Sequence, residues 1–147
     1  MGEIIVDEYQ FCEAIGKSGK EPVLVMHDKF TEKYIGGVGA IANHVSSFCN
    51  DVTIMSFIGD HNTQKSFIKR SLNNKVKTIL FNKSDSPTIN KKRYIDAVNQ
   101  NKIRGVDTNN DEDLNKKDEK KFLEKLKKSI KNYDIVILTD YGHGIIT

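Results

Sequence analysis

The feature that most constrains the fold is an alternation, along the chain, of short apolar runs with segments of helical periodicity. The apolar runs are typical of strands, and they cover Val23–His27, Val52–Asp60 and Tyr133–Asp140. The helical segments lie at about 39–49, 63–72 and 114–132. Strands that alternate with helices predict an α/β fold with a parallel sheet. The last run, YDIVILTD, is almost entirely apolar and predicts the most deeply buried strand.

Other segments predict strands that stand apart from this alternation. Glu3–Phe11 predicts a first strand, and Val76–Phe81 predicts another short one. Two neighbouring strands are predicted at Ile89–Val98 and Lys102–Asp107, with no helix between them. Because they interrupt the alternation, these two strands predict a separate β-element beside the α/β core.

Length and composition indicate one globular domain. The chain has 147 residues, of which 37% are hydrophobic and 29% charged, as in ordinary globular domains. No apolar run approaches the length of a membrane span, and the first residues lack the pattern of a secretion signal. We therefore expect a cytoplasmic protein with no membrane partner. Cys12 and Cys49 have no metal-ligand spacing, so we expect neither a metal site nor a disulfide.

The charges do not indicate a nucleic-acid partner. The chain has 23 basic and 20 acidic residues, and its net charge of +3 is far from the one-sided excess of nucleic-acid-binding proteins. The lysines concentrate in Leu114–Asn132, where apolar residues recur at helical spacing. We interpret these lysines as the solvated face of one amphipathic helix.

A glycine-rich stretch, YIGGVGAIANH at Tyr34–His44, matches a phosphate-binding pattern. From Gly37 it fits G-x-G-x-x-[GA], and Asp60 lies 21 residues beyond Gly39. That fingerprint works only where a buried strand runs directly into a helix whose N-terminus meets the pyrophosphate. Here the polar DKFTEK separates the apolar run at Pro22–His27 from the glycines. The alternative is a glycine-lined helix start that packs closely against a neighbouring strand.

Three acidic residues lie at the ends of predicted strands, where ligands of parallel sheets gather: Asp7, Asp60 and Asp140. Asp140 opens the sequence DYGHG, in which two glycines permit tight turns beside the carboxylate. Asp140 is therefore a candidate ligand contact. The equally weighted alternative is that it caps a helix beginning near Ile145.

Lys91 and Arg93 form a candidate anion site. Because strand side chains alternate, the two cations fall on the same face of the predicted strand. The arginine offers a planar donor fork and the lysine adds a point charge, a combination suited to a phosphate or carboxylate. The alternative is a charged, solvent-facing strand that prevents aggregation at a sheet edge.

Several of these segments, taken in order, carry a family resemblance. GEIIVDEY resembles the opening G-D-x-x-x-D-x-Y, and GGVGAIAN resembles a glycine pair that starts a sugar-side helix. PTINKKRYI, NQNKIRGVD and ILTDYGHGI resemble P-T-x-x-K-x-R, N-Q-x-x-x-R-x-D and S-D-Y-x-x-G. In this order the chain resembles the PfkB (ribokinase-like) carbohydrate kinases, in the branch that includes the kinase domain of ADP-heptose synthase.

The resemblance implies an incomplete ribokinase-like core with a small β-lid, and a sugar or sugar phosphate bound between them. A single partial sugar-kinase domain would then cover 1–147, with lid strands at about 2–9, 22–27 and 89–107 and core at about 36–82 and 114–147. The residues that it implies for substrate binding are Asp7, Gly36, Gly37, Lys91, Arg93, Arg104 and Asp140. Ala40 and His143 depart from the family pattern, which leaves the identity of the sugar open.

The resemblance also implies parts that this sequence does not contain. Family members carry a G-A-G-D loop with the catalytic base and an anion hole, and no such sequence occurs here. We therefore expect a fragment without catalytic residues or kinase activity, and ATP and Mg²⁺ binding in the full-length protein. We also expect a homodimer through the lid and a fused nucleotidyltransferase domain in the parent protein. The alternatives are a non-catalytic sugar-binding or dimerisation module and a dinucleotide-binding domain.

Overall fold

The computed structural model describes residues 1–146, which form two sheets and three α-helices. The strands are β1 (Ile4–Lys17), β2 (Leu24–Gly37), β3 (Val52–His61), β4 (Val76–Pro87), β5 (Asn90–Asp96) and β6 (Lys102–Thr108). The helices are α1 (Val38–Val45), α2 (Lys65–Ser71) and α3 (Lys116–Ser129), and a short 3₁₀ turn follows at Ile130–Asn132. The mixed α/β class with a parallel sheet, predicted from the sequence, is confirmed.

The core is built on the parallel pair β3 and β4, with helices on both faces. Side chains of β3 alternate between two apolar clusters, because a strand presents successive residues to opposite faces. Ile54 and Ile58 pack with α1 and α2, whereas Met55 and Phe57 pack with Phe122 of α3. This double burial explains why β3 is apolar along most of its length.

The second sheet has four strands in the order β2-β1-β5-β6, and we call it the lid sheet. β1 pairs antiparallel with β2 and parallel with β5, and β5 pairs antiparallel with β6. β1 belongs to both parts of the molecule, since its first residues, Ile4–Val6, are buried in the core and its far end projects into solvent.

The lid strands are longer than the sequence predicted. The predicted limits of about 2–9 and 22–27 become Ile4–Lys17 and Leu24–Gly37, so the polar DKFTEK is part of the second strand. Cross-strand contacts stabilise this exposed hairpin: Phe11 stacks on Phe30 at a centroid distance of 4.5 Å. Polarity of the segment therefore reported solvent exposure and not irregular structure.

The prediction of a buried strand at Tyr133–Asp140 is wrong. The segment lies outside the strands, and the side chains of residues 135–138 are 44–80% exposed. Within residues 1–146, its backbone hydrogen bonds to distant residues lie near its end, where Thr139 N–H donates to Met1 O at 2.9 Å and the Met1 amino group donates to Ile137 O at 2.6 Å. A buried strand needs neighbours along both edges, which the described residues do not supply here.

An apolar groove of about 400 Å³ lies between this segment and the core. Side chains from several elements line the groove, including Val38, Ile41, Met55, Leu126, Ile135 and Ile137. The groove accounts for the exposure of the predicted strand, because its apolar side chains border open space rather than a packed neighbour.

Within residues 1–146, no helix combines the length and the apolarity that a bilayer crossing requires. The longest, α3, has 14 residues and carries lysines along its exposed side. The cytoplasmic location stays a prediction.

Candidate functional site

One face of the lid sheet gathers most of the predicted site residues. Asp7 of β1 is the register partner of Lys91 of β5, and Tyr9 is the partner of Arg93. Partners in register point to the same side of a sheet, so these side chains share one face, as predicted for Lys91 and Arg93. We call this surface the Asp7 face.

Asp7 and Lys91 carry opposite charges, and neither charge is neutralised by an ion pair within residues 1–146. Neither side chain has a hydrogen bond or an ion pair with any other residue in the described range 1–146. Both are partly buried. Gly36 lies directly beside the carboxylate, and a Cβ at that position would overlap an Asp7 oxygen. The glycine therefore keeps open the space in which the Asp7 carboxylate sits.

Arg93 is engaged by the protein itself. Its Nη1 donates to the Asp107 carboxylate and, at 3.0 Å, to the carbonyl of Lys92. A Cβ on Gly105, the register partner of Arg93, would come into van der Waals contact with the guanidinium, so the Arg93 side chain extends over β6 at this position. A ligand that uses Arg93 must compete with Asp107 or share the guanidinium with it.

Arg104 lies on the opposite side of the lid sheet. Its register partner is Tyr94, whose side chain alternates with that of Arg93. The structure therefore does not bring Arg104 together with Lys91 and Arg93. Its predicted role in substrate binding stays a prediction, and it would require contact from the other face.

Gly37 forms the junction between β2 and α1. Its φ of 56° lies in the left-handed region, and a Cβ there would overlap the backbone carbonyl of Glu3. The same carbonyl accepts a hydrogen bond from Val38 N–H at 2.8 Å. The glycine is thus required by close packing of the helix start on β1, which was the alternative to a phosphate loop.

The topology does not support a dinucleotide fingerprint. β2 does run directly into α1, because the polar DKFTEK is part of the strand. However, β2 is an antiparallel lid strand, and the next strand, β3, belongs to the other sheet. The parallel strand–helix–strand unit that this fingerprint requires is therefore not formed by β2, α1 and β3.

Asp140 is exposed and lies in the turn after the apolar segment. Its Oδ1 accepts a hydrogen bond from Gly142 N–H at 2.9 Å, which stabilises the turn. No helix begins near Ile145 within the described residues, so Asp140 does not act there as the predicted helix cap. Its ligand role stays a prediction.

Glu3 is a buried acid that the sequence did not single out for a role. Its side chain has no exposed area, one carboxylate oxygen accepts from Tyr141 N–H at 3.1 Å, and the other has no partner within residues 1–146. Glu3 thus joins the start of β1 to the residue that follows Asp140. The sequence signal was its place in GEIIVDEY, where Glu3 stands in place of the first acid of the G-D-x-x-x-D-x-Y opening.

The reverse face of the lid sheet holds a buried ionic cluster around Glu8. The carboxylate accepts from Lys92 at 2.9 Å and from Lys33 and Asn90 at 3.1 Å each. Burial alone would raise the pKa of Glu8, but these hydrogen bonds, with Lys92 first, outweigh it and lower the pKa to about 2. The cluster holds β2, β1 and β5 together beneath the Asp7 face.

Comparisons with known proteins agree with this architecture. No family model matches the chain. The chain is similar to proteins named bifunctional protein HldE, with 30% identity over 150 residues in Aliarcobacter butzleri and 31% over 147 residues in Nitratiruptor sp.. These alignments cover 100% of this chain but 31% of each relative. The chain therefore spans less than a third of the length of the curated relatives that it matches.

Solved structures show the same fold at low sequence identity. A possible 1-phosphofructokinase from Thermotoga maritima superposes with a TM-score of 0.63 and 17% identity, over 91% of this chain and 41% of that one. Phosphofructokinase-2 from Escherichia coli, in complex with fructose-6-phosphate, gives 0.60 and 14%, over 86% and 39%. The chain thus has part of a ribokinase-like fold, and its predicted resemblance to the PfkB carbohydrate kinases, in the HldE branch, is confirmed.

Proposed function

We propose that this chain is the sugar-side part of a PfkB-type sugar or sugar-phosphate kinase, which transfers the γ-phosphoryl group of ATP to a sugar hydroxyl in the full-length protein. The observation that carries the proposal is the unneutralised pair Asp7 and Lys91 on the Asp7 face, beside Gly36. A carboxylate accepts hydrogen bonds from sugar hydroxyls, and an ammonium group binds phosphate. The similarity to HldE proteins over the whole chain supports the same function.

The binding of ATP and Mg²⁺ is assigned to residues outside this chain. Within residues 1–146, no group of three or more His, Cys, Asp or Glu side chains is arranged to hold a metal ion. The sequence also lacks the G-A-G-D loop that the resemblance implies. The residues present do not fit the nucleotide and its metal, so this chain alone is proposed to be catalytically inactive.

Two measurements test whether this chain binds the sugar phosphate and whether catalysis requires the full-length protein. The chain alone should bind a sugar phosphate from a panel of hexose and heptose phosphates, as seen by titration calorimetry, and should show background rates in a coupled kinase assay. The full-length protein should show turnover with the same sugar phosphate. Turnover by the chain alone that survives repurification and disappears in an Asp140→Asn variant would contradict the proposed inactivity.

We further propose a homodimer through the lid sheet. β2 is an edge strand of that sheet, and its exposed side chains include Leu24, Phe30 and Tyr34, each about half exposed. An exposed edge strand with apolar side chains is a ready surface for pairing with a second copy. Light scattering should show a dimer that becomes a monomer in a Phe30→Lys variant. A monomer at all accessible concentrations of the wild-type chain would contradict it.

The same measurements test the two alternative functions. A sugar-binding or dimerisation module without a catalytic partner would bind sugar phosphate or dimerise, while the full-length protein showed no turnover. A dinucleotide-binding domain would be stabilised by NAD in a thermal-shift measurement and not by sugar phosphates.

By analogy with HldE proteins, whose name calls them bifunctional, we also propose a fused nucleotidyltransferase domain in the full-length protein.

A further inference from the structure

Lys83, on β4, is a buried lysine whose ammonium group is enclosed by backbone carbonyls. It is 8% exposed, and Nζ donates to Asn110 O at 2.7 Å, Glu112 O at 2.6 Å and His143 O at 3.2 Å. Three carbonyl acceptors use all three donors of an ammonium group. The group therefore joins three parts of the chain that are distant in sequence.

The burial of this charge requires compensation. Burial lowers the pKa of Lys83, and the nearby acids Asp111, Glu112 and Asp113 oppose that effect by favouring the charged form. An uncompensated buried ammonium would be strongly unfavourable, and its loss would leave three carbonyls without their donor. The arrangement is therefore specific for a lysine side chain rather than for an apolar one of similar length.

The three parts are the end of β4 with the crossing that follows it, the crossing back to the core, and a turn near Asp140. The end of β4, with the short connection 88–89, leads from the core to β5 of the lid sheet, and residues 109–115 lead from β6 back to α3. The side chain of Asn110 donates to Asp85 O at 3.3 Å, which ties one crossing to the other. The third part is the turn 142–144, which follows Asp140.

Further hydrogen bonds connect the return crossing to that turn. Leu114 N–H donates to Gly144 O at 3.2 Å, and His143 Nδ1 lies 2.7 Å from an Asp111 carboxylate oxygen. A Cβ on Gly144 would overlap the Glu112 carbonyl, so the two segments are in close contact. Lys83 lies at the centre of this set of contacts, which we call the Lys83 clasp.

We propose that Lys83 is a positioning residue for the candidate sugar site: by holding both crossings and the turn after Asp140, it fixes the lid sheet relative to the core. The inference rests on the proposed function, since the Asp7 face and Asp140 are taken to contact one substrate. Lys83 itself contacts no substrate in this proposal. If the Asp7 face or Asp140 is displaced from its binding position, the affinity for the sugar and the reaction rate should fall, although no ligand-contacting residue has been removed.

The test compares Lys83→Met with Lys77→Met in the full-length protein. Lys77 is on the same strand, but its side chain is 70% exposed and pairs only with the exposed Asp51. At a temperature well below unfolding, Lys83→Met should lower the affinity for the sugar phosphate that the wild type binds best by about tenfold or more. The affinity for the matching free sugar should fall by the same factor. Lys77→Met should bind both ligands as the wild type does.

Amide hydrogen exchange gives a readout that does not depend on the ligand. In Lys83→Met, exchange at Leu114 N–H and across residues 109–113 should become faster, with no change in Lys77→Met. If Lys83→Met does not fold, Lys83→Gln, which keeps two donors, is measured in the same way and should show the same two effects in smaller size.

The outcomes separate the clasp from the proposed function. Unchanged affinity for both ligands, even with a lowered melting temperature, would overturn the positioning role and leave Lys83 purely structural. Unchanged exchange at Leu114 would overturn the clasp itself. A wild-type protein that binds none of the sugar phosphates would overturn the proposed function and the positioning role together, whereas the exchange result would still decide whether the clasp exists.

Discussion

Asp7 and Lys91 are direct register partners on adjacent parallel strands, yet their charged groups form no ion pair with each other. Adjacent strands lie about 4.8 Å apart, so an anion and a cation stand side by side on a partly buried surface. A phosphorylated sugar can satisfy both, because its hydroxyls donate to the carboxylate and its phosphate accepts from the ammonium group. The first predictions follow from this pair.

Asp7→Asn should lower the affinities for the free sugar and for the sugar phosphate by similar factors. The substitution keeps the shape of the side chain but replaces one acceptor oxygen by an amide donor. Hydrogen bonds to charged groups contribute roughly 1.5–3 kcal/mol, so a loss of about tenfold or more is expected in titration calorimetry. Asp51→Asn, at an exposed residue on the core, is the control and should leave both affinities unchanged. Undiminished binding by Asp7→Asn would remove Asp7 from the site.

Arg93→Ala should weaken the sugar phosphate more than the matching free sugar, by about tenfold or more, if Arg93 and Lys91 hold the phosphate. Titration calorimetry of both ligands on the full-length protein measures the ratio directly. Equal weakening of the two ligands would show that Arg93 supports the lid sheet, and no weakening would identify Arg93 and Asp107 as a surface ion pair without a binding role.

Asp107→Asn tests whether the protein and the ligand compete for the same guanidinium group. In the structure the Asp107 carboxylate occupies Arg93 Nη1, so removal of its charge should free the donor and raise affinity for the sugar phosphate. The free sugar should be unaffected. A decrease in sugar-phosphate affinity would instead mean that Asp107 orients Arg93 for binding and does not compete with the ligand.

Local periodicity was sufficient to predict part of the candidate site. Lys91 and Arg93 share a face because side chains alternate along any strand, whatever its partners. Arg104 could not be placed in the same way, since its face depends on the register between β5 and β6 and on the irregularity next to Tyr94. Register is set by the turn and by packing, and the sequence of one strand does not contain it.

Long-range contacts account for the other differences. The apolar pattern of Tyr133–Asp140 indicated a segment suited to burial, whereas a strand also requires paired neighbours, and among residues 1–146 these are only Met1 and Gly2. The contacts of Glu3 and Lys83 could not be predicted for a related reason. Glu3 accepts a hydrogen bond from the backbone of residue 141, and Lys83 donates to the backbone carbonyls of residues 110, 112 and 143. No short motif around either residue encodes such distant partners.

Gly36→Ala should disturb the Asp7 carboxylate without touching the ligand. The added Cβ would overlap an Asp7 oxygen on a buried part of β2, so either the carboxylate or the strand must move. The overlapping atom is the end of a side chain, so the Asp7 carboxylate can rotate away, and we expect little loss of stability in denaturant unfolding but weaker sugar binding. Gly19→Ala is the matched control, because a Cβ there meets no atom within 4 Å. Unchanged sugar binding in both variants would show that Gly36 does not keep the Asp7 carboxylate in its binding position.

Glu8→Gln should lower the stability of the fold at neutral pH and flatten its dependence on acid. The pKa of Glu8 is lowered from an ordinary value of 4.5 to about 2, so the folded state favours the ionised carboxylate. That contribution, about 1–3 kcal/mol, is fully present above pH 4.5 and is lost as the pH falls towards 2. Denaturant unfolding from pH 7 to pH 2 should therefore show a steep loss of stability in the wild type that is reduced in Glu8→Gln.

Glu13→Gln is the control for this effect, because Glu13 pairs with Lys29 on the solvent-exposed part of the hairpin. Exposed ion pairs contribute little, so Glu13→Gln should follow the wild-type pH curve closely. Glu8 lies on the reverse of the Asp7 face, so Glu8→Gln should change the stability of the lid sheet without changing ligand contacts. At neutral pH and low temperature, Glu8→Gln should therefore retain the wild-type ratio of affinities for sugar phosphate and free sugar. Identical acid curves for Glu8→Gln and the wild type would show that the buried cluster does not stabilise the lid sheet.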